Sequence, residues 1–68
     1  MDITKTINRI IAERGLKKQS VAREIGITPQ QFSDMLARRR IIKVEDISAL
    51  CDALDISPNE LFEYKKGA

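Results

Sequence analysis

The sequence predicts an all-α fold, a compact bundle of five short helices in a single domain covering residues 1–68. Three observations predict it. Apolar residues recur at three- and four-residue intervals along the chain, and no useful stretch alternates in the manner of a strand. Glycines and proline-bearing caps fall at the expected helix ends, at Gly15, Gly26, Thr28-Pro29 and Ser57-Pro58. A chain of 68 residues also buries only about 60% of its unfolded surface, so short helices must share one core.

The first helix is expected over residues 3–14. Ile3, Ile7, Ile10 and Ile11 fall on one stripe. Asp2 can cap its start, and Gly15 can close its end in the left-handed conformation. The second helix, 18–25, buries Val21, Ala22 and Ile25 and stops at Gly26. Its start is poorly capped, because Lys17 has no acceptor side chain. The third, 29–37, has the clearest start. Thr28-Pro29-Gln30-Gln31 is a capping box with proline at the first helical position. Phe32, Met35 and Leu36 form its apolar face.

The fourth helix, 44–54, places Val44, Ile47, Leu50, Cys51 and Leu54 on a 3.6-residue period. Glu45 and Asp46 in its first turn suit the helix dipole. The fifth, 58–64, opens with a second capping box, Ser57-Pro58-Asn59-Glu60. The tail, 65–68, is expected to fray. The expected core is Ile7, Ile10, Leu16, Val21, Ala22, Ile25, Phe32, Met35, Leu36, Val44, Ile47, Leu50, Leu54, Ile56 and Leu61.

Composition excludes several function classes. There is no histidine and a single cysteine, Cys51. Zinc fingers, His-based triads and internal disulfides are therefore ruled out. No cofactor or metal is expected, and no nucleophile–base pair suggests an enzyme. No secretory signal and no run approaching the ~20 apolar residues of a membrane span is seen. With a free thiol, the expected location is cytoplasmic and no membrane partner is expected.

The net charge of +2 hides an asymmetry. Residues 1–43 carry ten Lys/Arg against four acids, and residues 44–68 carry two against six. One basic side can thus face a polyanion, although such a distribution also suits a solvated surface.

The informative stretch is Lys17 to Ala37. Two short helices are joined by Gly26-Ile27-Thr28. Ala22 is small enough for the helices to approach closely, Gly26 can take positive φ, and Ile27 plugs the corner. This is a helix-turn-helix arrangement. In three segments the chain resembles the phage repressor/Cro-like helix-turn-helix domains, also called XRE-type. These are Glu13-Arg14-Gly15-Leu16, Val21 through Thr28, and Leu50-Cys51-Asp52-Ala53-Leu54-Asp55-Ile56-Ser57-Pro58-Asn59-Glu60-Leu61-Phe62. Their order and gap-free spacing resemble the family pattern from about Ile7 to Phe62.

The resemblance implies a lambda repressor-like fold that binds duplex DNA and regulates transcription. Its recognition helix would be 29–37, with Gln30, Gln31, Ser33 and Asp34 reading bases in the major groove. Gln suits adenine and Asp suits the cytosine amino group. Gln31 has a second reading as the capping-box partner, and Asp34 as a surface acid that repels phosphate. Phosphate contacts would come from Lys18, Thr28, Arg38, Arg39, Arg40 and Lys43.

The chain departs from the family pattern at Pro29, in place of a frequent base contact, and at Ala37-Arg38, in place of Asn-Gly. Lys17 stands where a serine commonly caps the second helix. Ile11 and Leu36 stand where many members pair an Arg with a Glu, and an apolar contact is expected instead.

The expected function is a sequence-specific regulator, a dimeric repressor on a two-fold-related operator. The dimer surface is expected around Leu61, Phe62 and Tyr64, and no small-molecule effector is expected. The alternative is a protein-interaction module, antitoxin-like or anti-repressor, that keeps the fold without specific DNA binding.

Overall fold

A computed structural model describes residues 3–62. Asp2, Tyr64, residues 63–64 of the expected fifth helix and the tail 65–68 lie outside them. Five helices follow in order: α1 (Ile3–Arg14), α2 (Lys18–Ile25), α3 (Pro29–Leu36), α4 (Val44–Leu54) and α5 (Pro58–Leu61). The described residues contain no strand. α3 ends one residue before the expected boundary, with Ala37 as its cap. α2 packs against α3 and α4, α1 against α3 and α5, and α4 against α5. The short α2 and α3 are thus held by tertiary packing, which helices of about two turns require.

The helix ends explain the short connections. Four helices close with the same pair of backbone bonds. A left-handed residue donates to the carbonyl three back, and its successor donates to the carbonyl five back. In α1 these donors are Gly15 and Leu16, in α2 Gly26 and Ile27, and in α4 Asp55 and Ile56. In α3 they are Arg38, to Met35 O at 3.1 Å, and Arg39, to Asp34 O at 2.8 Å. Gly26 has φ 82°, whereas Arg38 and Asp55 hold positive φ, 64° and 53°, despite their side chains. The loop after α3 is therefore the turn that Asn-Gly would make, built with Arg at the strained position.

One core unites the helices. Ile7, Ile10, Val21, Ala22, Phe32, Met35, Leu50, Leu54, Ile56 and Leu61 are buried, as expected. Ile11 and Cys51 join them. Ile25, Leu36 and Ile47 are half-buried and pack against this cluster. Ile11 and Leu36 thus both belong to the apolar cluster, where an Arg–Glu pair is common in the family.

Two expected core residues lie outside. Leu16 is 38% exposed and Val44 is 80% exposed. Leu16 follows Gly15 in the closing turn of α1, and Val44 is the first residue of α4. At such terminal positions the apolar period continues, but the neighbouring helix no longer covers it. Leu61, placed on the expected dimer surface, is instead fully buried, and Phe62 is half-buried. The large apolar side chains most exposed among the described residues are Ile41, at 82%, and Val44.

A long-range tie that no local pattern foretells closes the bundle. The guanidinium of Arg14, at the end of α1, donates to the carbonyl oxygen of Leu54, at the end of α4. It satisfies a carbonyl that a helix C-terminus leaves unpaired, and its charge suits that end of the dipole.

Candidate nucleic-acid interface

The geometry begins with how α3 is fixed. Thr28 is extended, at φ −75° and ψ 157°. Its Oγ1 accepts from the Gln31 N–H at 3.0 Å, and Gln31 Oε1 accepts from the Thr28 N–H at 3.0 Å. Pro29 occupies the first helical position, where no N–H is needed. Phe32 and Met35 are fully buried and anchor the helix from beneath. Fully burying side chains of this size contributes about 1.5–3 kcal/mol each.

The opposite side of α3 carries the polar residues. Pro29, Gln30 and Ser33 are exposed, and Gln31 and Asp34 are half-buried. Gln30 Nε2 donates to Asp34 Oδ1 at 3.1 Å, one turn further on. The amide of Gln31 is committed to the cap through its oxygen, whereas Gln30 and Asp34 engage each other. The four expected base-reading residues therefore share one helix, with Gln31 engaged at the cap and Gln30 and Asp34 engaged with each other.

α2 packs against this helix. Ala22 is fully buried where α2 packs against α3 and α4, and its carbonyl accepts the Ile27 N–H at 3.0 Å. Ile27 is half-buried in the corner. Lys17 is extended and gives α2 no side-chain cap. Lys18 is the exposed first residue of α2.

The cations cluster after α3. Arg38 and Arg39 are exposed and Arg40 is half-buried. The left-handed conformation of Arg38 turns the chain directly after Ala37. Three guanidinium groups thus follow the exposed helix without an intervening spacer. Lys43 is exposed and precedes α4, and its backbone N–H donates to Asp46 Oδ2 at 3.0 Å. Sequence reasoning missed the backbone state of Arg38, and the family's Asn-Gly at this point was the available signal.

Among the described residues no group of His, Cys, Asp and Glu is arranged to hold a metal. No helix among them is long and apolar enough to cross a membrane.

A glycine turn between two short helices, the second presenting polar side chains and followed by a basic turn, defines a helix-turn-helix domain of the DNA-binding class. The family model of the Cro/C1-type HTH DNA-binding domain matches residues 6–67. The chain belongs to this family of DNA-binding regulators. No curated protein and no solved structure matches the chain.

Proposed function

We propose that this DNA-binding domain is a sequence-specific transcriptional repressor that works as a dimer on a two-fold-related operator. The observation that carries the reading is the exposed side of α3, bearing Gln30 and Ser33 and continuing directly into Arg38, Arg39 and Arg40. α3 lies in the major groove. Gln30, with Asp34 bonded to it, and Ser33 read base edges. Gln31 contributes chiefly through the cap it shares with Thr28. Lys18, Thr28, Arg38, Arg39, Arg40 and Lys43 contact phosphates and supply the sequence-independent part of the affinity.

A single module covers only about 600–1,000 Å², which is small for tight specific binding. Two copies on half-sites about 34–36 Å apart supply the remainder. A regulator of this kind works in the cytoplasm, beside the DNA.

The experiment is selection of bound duplexes from a random pool, followed by anisotropy titrations at two salt concentrations. A palindromic consensus and an affinity that falls steeply with salt are expected. Arg39→Ala or Arg40→Ala should lower the salt slope by about one each. No DNA affinity at low salt, with salt-insensitive binding to a protein, would overturn the reading in favour of an interaction module.

A further inference from the structure

Burial of Leu61 removes it from the surface where a dimer contact is expected, and a different apolar pair stands outside. Ile41 is 82% exposed and Val44 is 80% exposed. Between them Ile42 is half-buried and packs on the core, so the segment is anchored while its neighbours meet solvent. Both exposed side chains are β-branched and stiff, so docking them costs little rotamer freedom. Covering them removes apolar surface from water.

Charge identifies the occupant. Val44 stands between two exposed residues of opposite sign, Lys43 and Glu45. The cap bond here uses the backbone N–H of Lys43 and leaves its ammonium out. In a two-fold contact one patch meets its own copy, so a residue i faces j and j faces i. An axis beside Val44 therefore brings Lys43 of each copy to Glu45 of the other. An apolar centre flanked by one cation and one anion is complementary to itself. A lysine ammonium has three donors, so Lys43 can serve a phosphate as well.

Size sets the strength. The principal extents of the domain are 38 × 25 × 18 Å. Copies on half-sites about 34–36 Å apart meet at their edges. Two side chains per copy fall well short of the about 1,200–2,000 Å² that a stable dimer buries. Such a contact holds free chains together weakly, but it couples two copies that a duplex already holds side by side.

We propose that Ile41 and Val44 form a two-fold contact between two copies of this chain, weak in solution and cooperative on one operator. The operator part rests on the DNA-binding reading, whereas the surface itself does not.

The first test uses the full chain free of DNA, from about 20 μM to about 1 mM. Methyl resonances of Ile41 and Val44 should move with concentration, ahead of those of other residues. Ile41→Ser/Val44→Ser should abolish the movement and leave the melting temperature unchanged, because both positions are exposed.

The second test uses the selected palindrome, a duplex with one half-site, and the palindrome with about half a helical turn inserted between its arms. The second copy should bind the palindrome at least about tenfold more tightly than a lone half-site. The insertion and the double variant should each remove that gain, with half-site affinity unchanged. Val44→Cys should form a disulfide-linked dimer on the palindrome and not on the half-site, Cys51 being buried.

Methyl shifts centred on Phe62 would overturn the proposal. So would cooperativity that survives Ile41→Ser/Val44→Ser, since another surface then pairs the copies and this patch is left for a foreign protein. A chain that shows the methyl shifts but binds no duplex would refute the regulator and keep the contact. A chain with neither would overturn both.

Discussion

Gln30 and Asp34 are joined by a 3.1 Å hydrogen bond from the amide of one to the carboxylate of the other. They stand one turn apart on α3, so the pair is set before any partner arrives. The bond holds the amide of Gln30 in one orientation and engages one carboxylate oxygen of Asp34. In the proposed interface each residue would therefore act on DNA through the other.

The first prediction is non-additivity. Gln30→Ala should cost about 1–3 kcal/mol of operator affinity, confined to one base position. Asp34→Ala should weaken discrimination more than affinity, because the acid rejects wrong sequences by repulsion. The double variant should fall short of the sum of the two losses. A panel of single-base operator variants, titrated by anisotropy, measures all three. Losses equal on every sequence would place Gln30 on the sugar-phosphate chain only.

A second prediction concerns the cap. Thr28→Ala removes the acceptor for the Gln31 N–H and should destabilise the fold by about 1 kcal/mol. For a domain of this size that lowers the melting temperature by about 4–8 °C. Thr28→Ser should retain most of the stability. Calorimetry of the three proteins checks the order.

The turn after α3 sets stability against charge. Arg38 holds φ 64°, a conformation that costs a non-glycine residue about 1–2 kcal/mol. Arg38→Gly should raise stability by about 0.5–1 kcal/mol, the remainder being lost to the entropy of the unfolded chain. The same variant should lower the slope of log affinity against log salt by about one. Asp55→Gly relieves a similar conformation at the end of α4 and should leave the salt slope unchanged. Chemical denaturation paired with salt titration separates the two effects.

How much of this could be read from the chain follows from the range of each interaction. The Thr28 cap and the Gly26 turn were legible because their signals lie within a few residues of the structure they make. The α3 face was legible because Phe32 and Met35 fix its inward side by spacing alone. Leu16 and Val44 misled, since periodicity continues past the point where a neighbouring helix covers the face. The tie from Arg14 to Leu54 spans the bundle and leaves no local mark. The left-handed states of Arg38 and Asp55 were hidden because no glycine announced them.

A fourth prediction concerns Cys51. Burial, and then the charges of Asp52 and Glu60, push its thiol above the usual 9.0. The native state thus favours the neutral thiol. Its contribution to stability is complete below the unfolded-state value and is lost as pH rises through the higher native one. Stability should therefore decline above about pH 9, and less so in Cys51→Ala after correction for lost packing. At neutral pH, a disulfide reagent should label Cys51 slowly, at a rate that tracks opening of the fold.

Thr28 starts α3 and the bonds from Arg38 and Arg39 stop it, so both boundary signals of this helix lie within three residues of its ends. Phe32 and Met35 supply its attachment, and the outward positions 30 and 33 take no part in that attachment. The segment is thus an exchangeable cassette. If α3 reads DNA as proposed, new residues at those outward positions would redirect the domain to a different target while the rest of the bundle assembles unchanged.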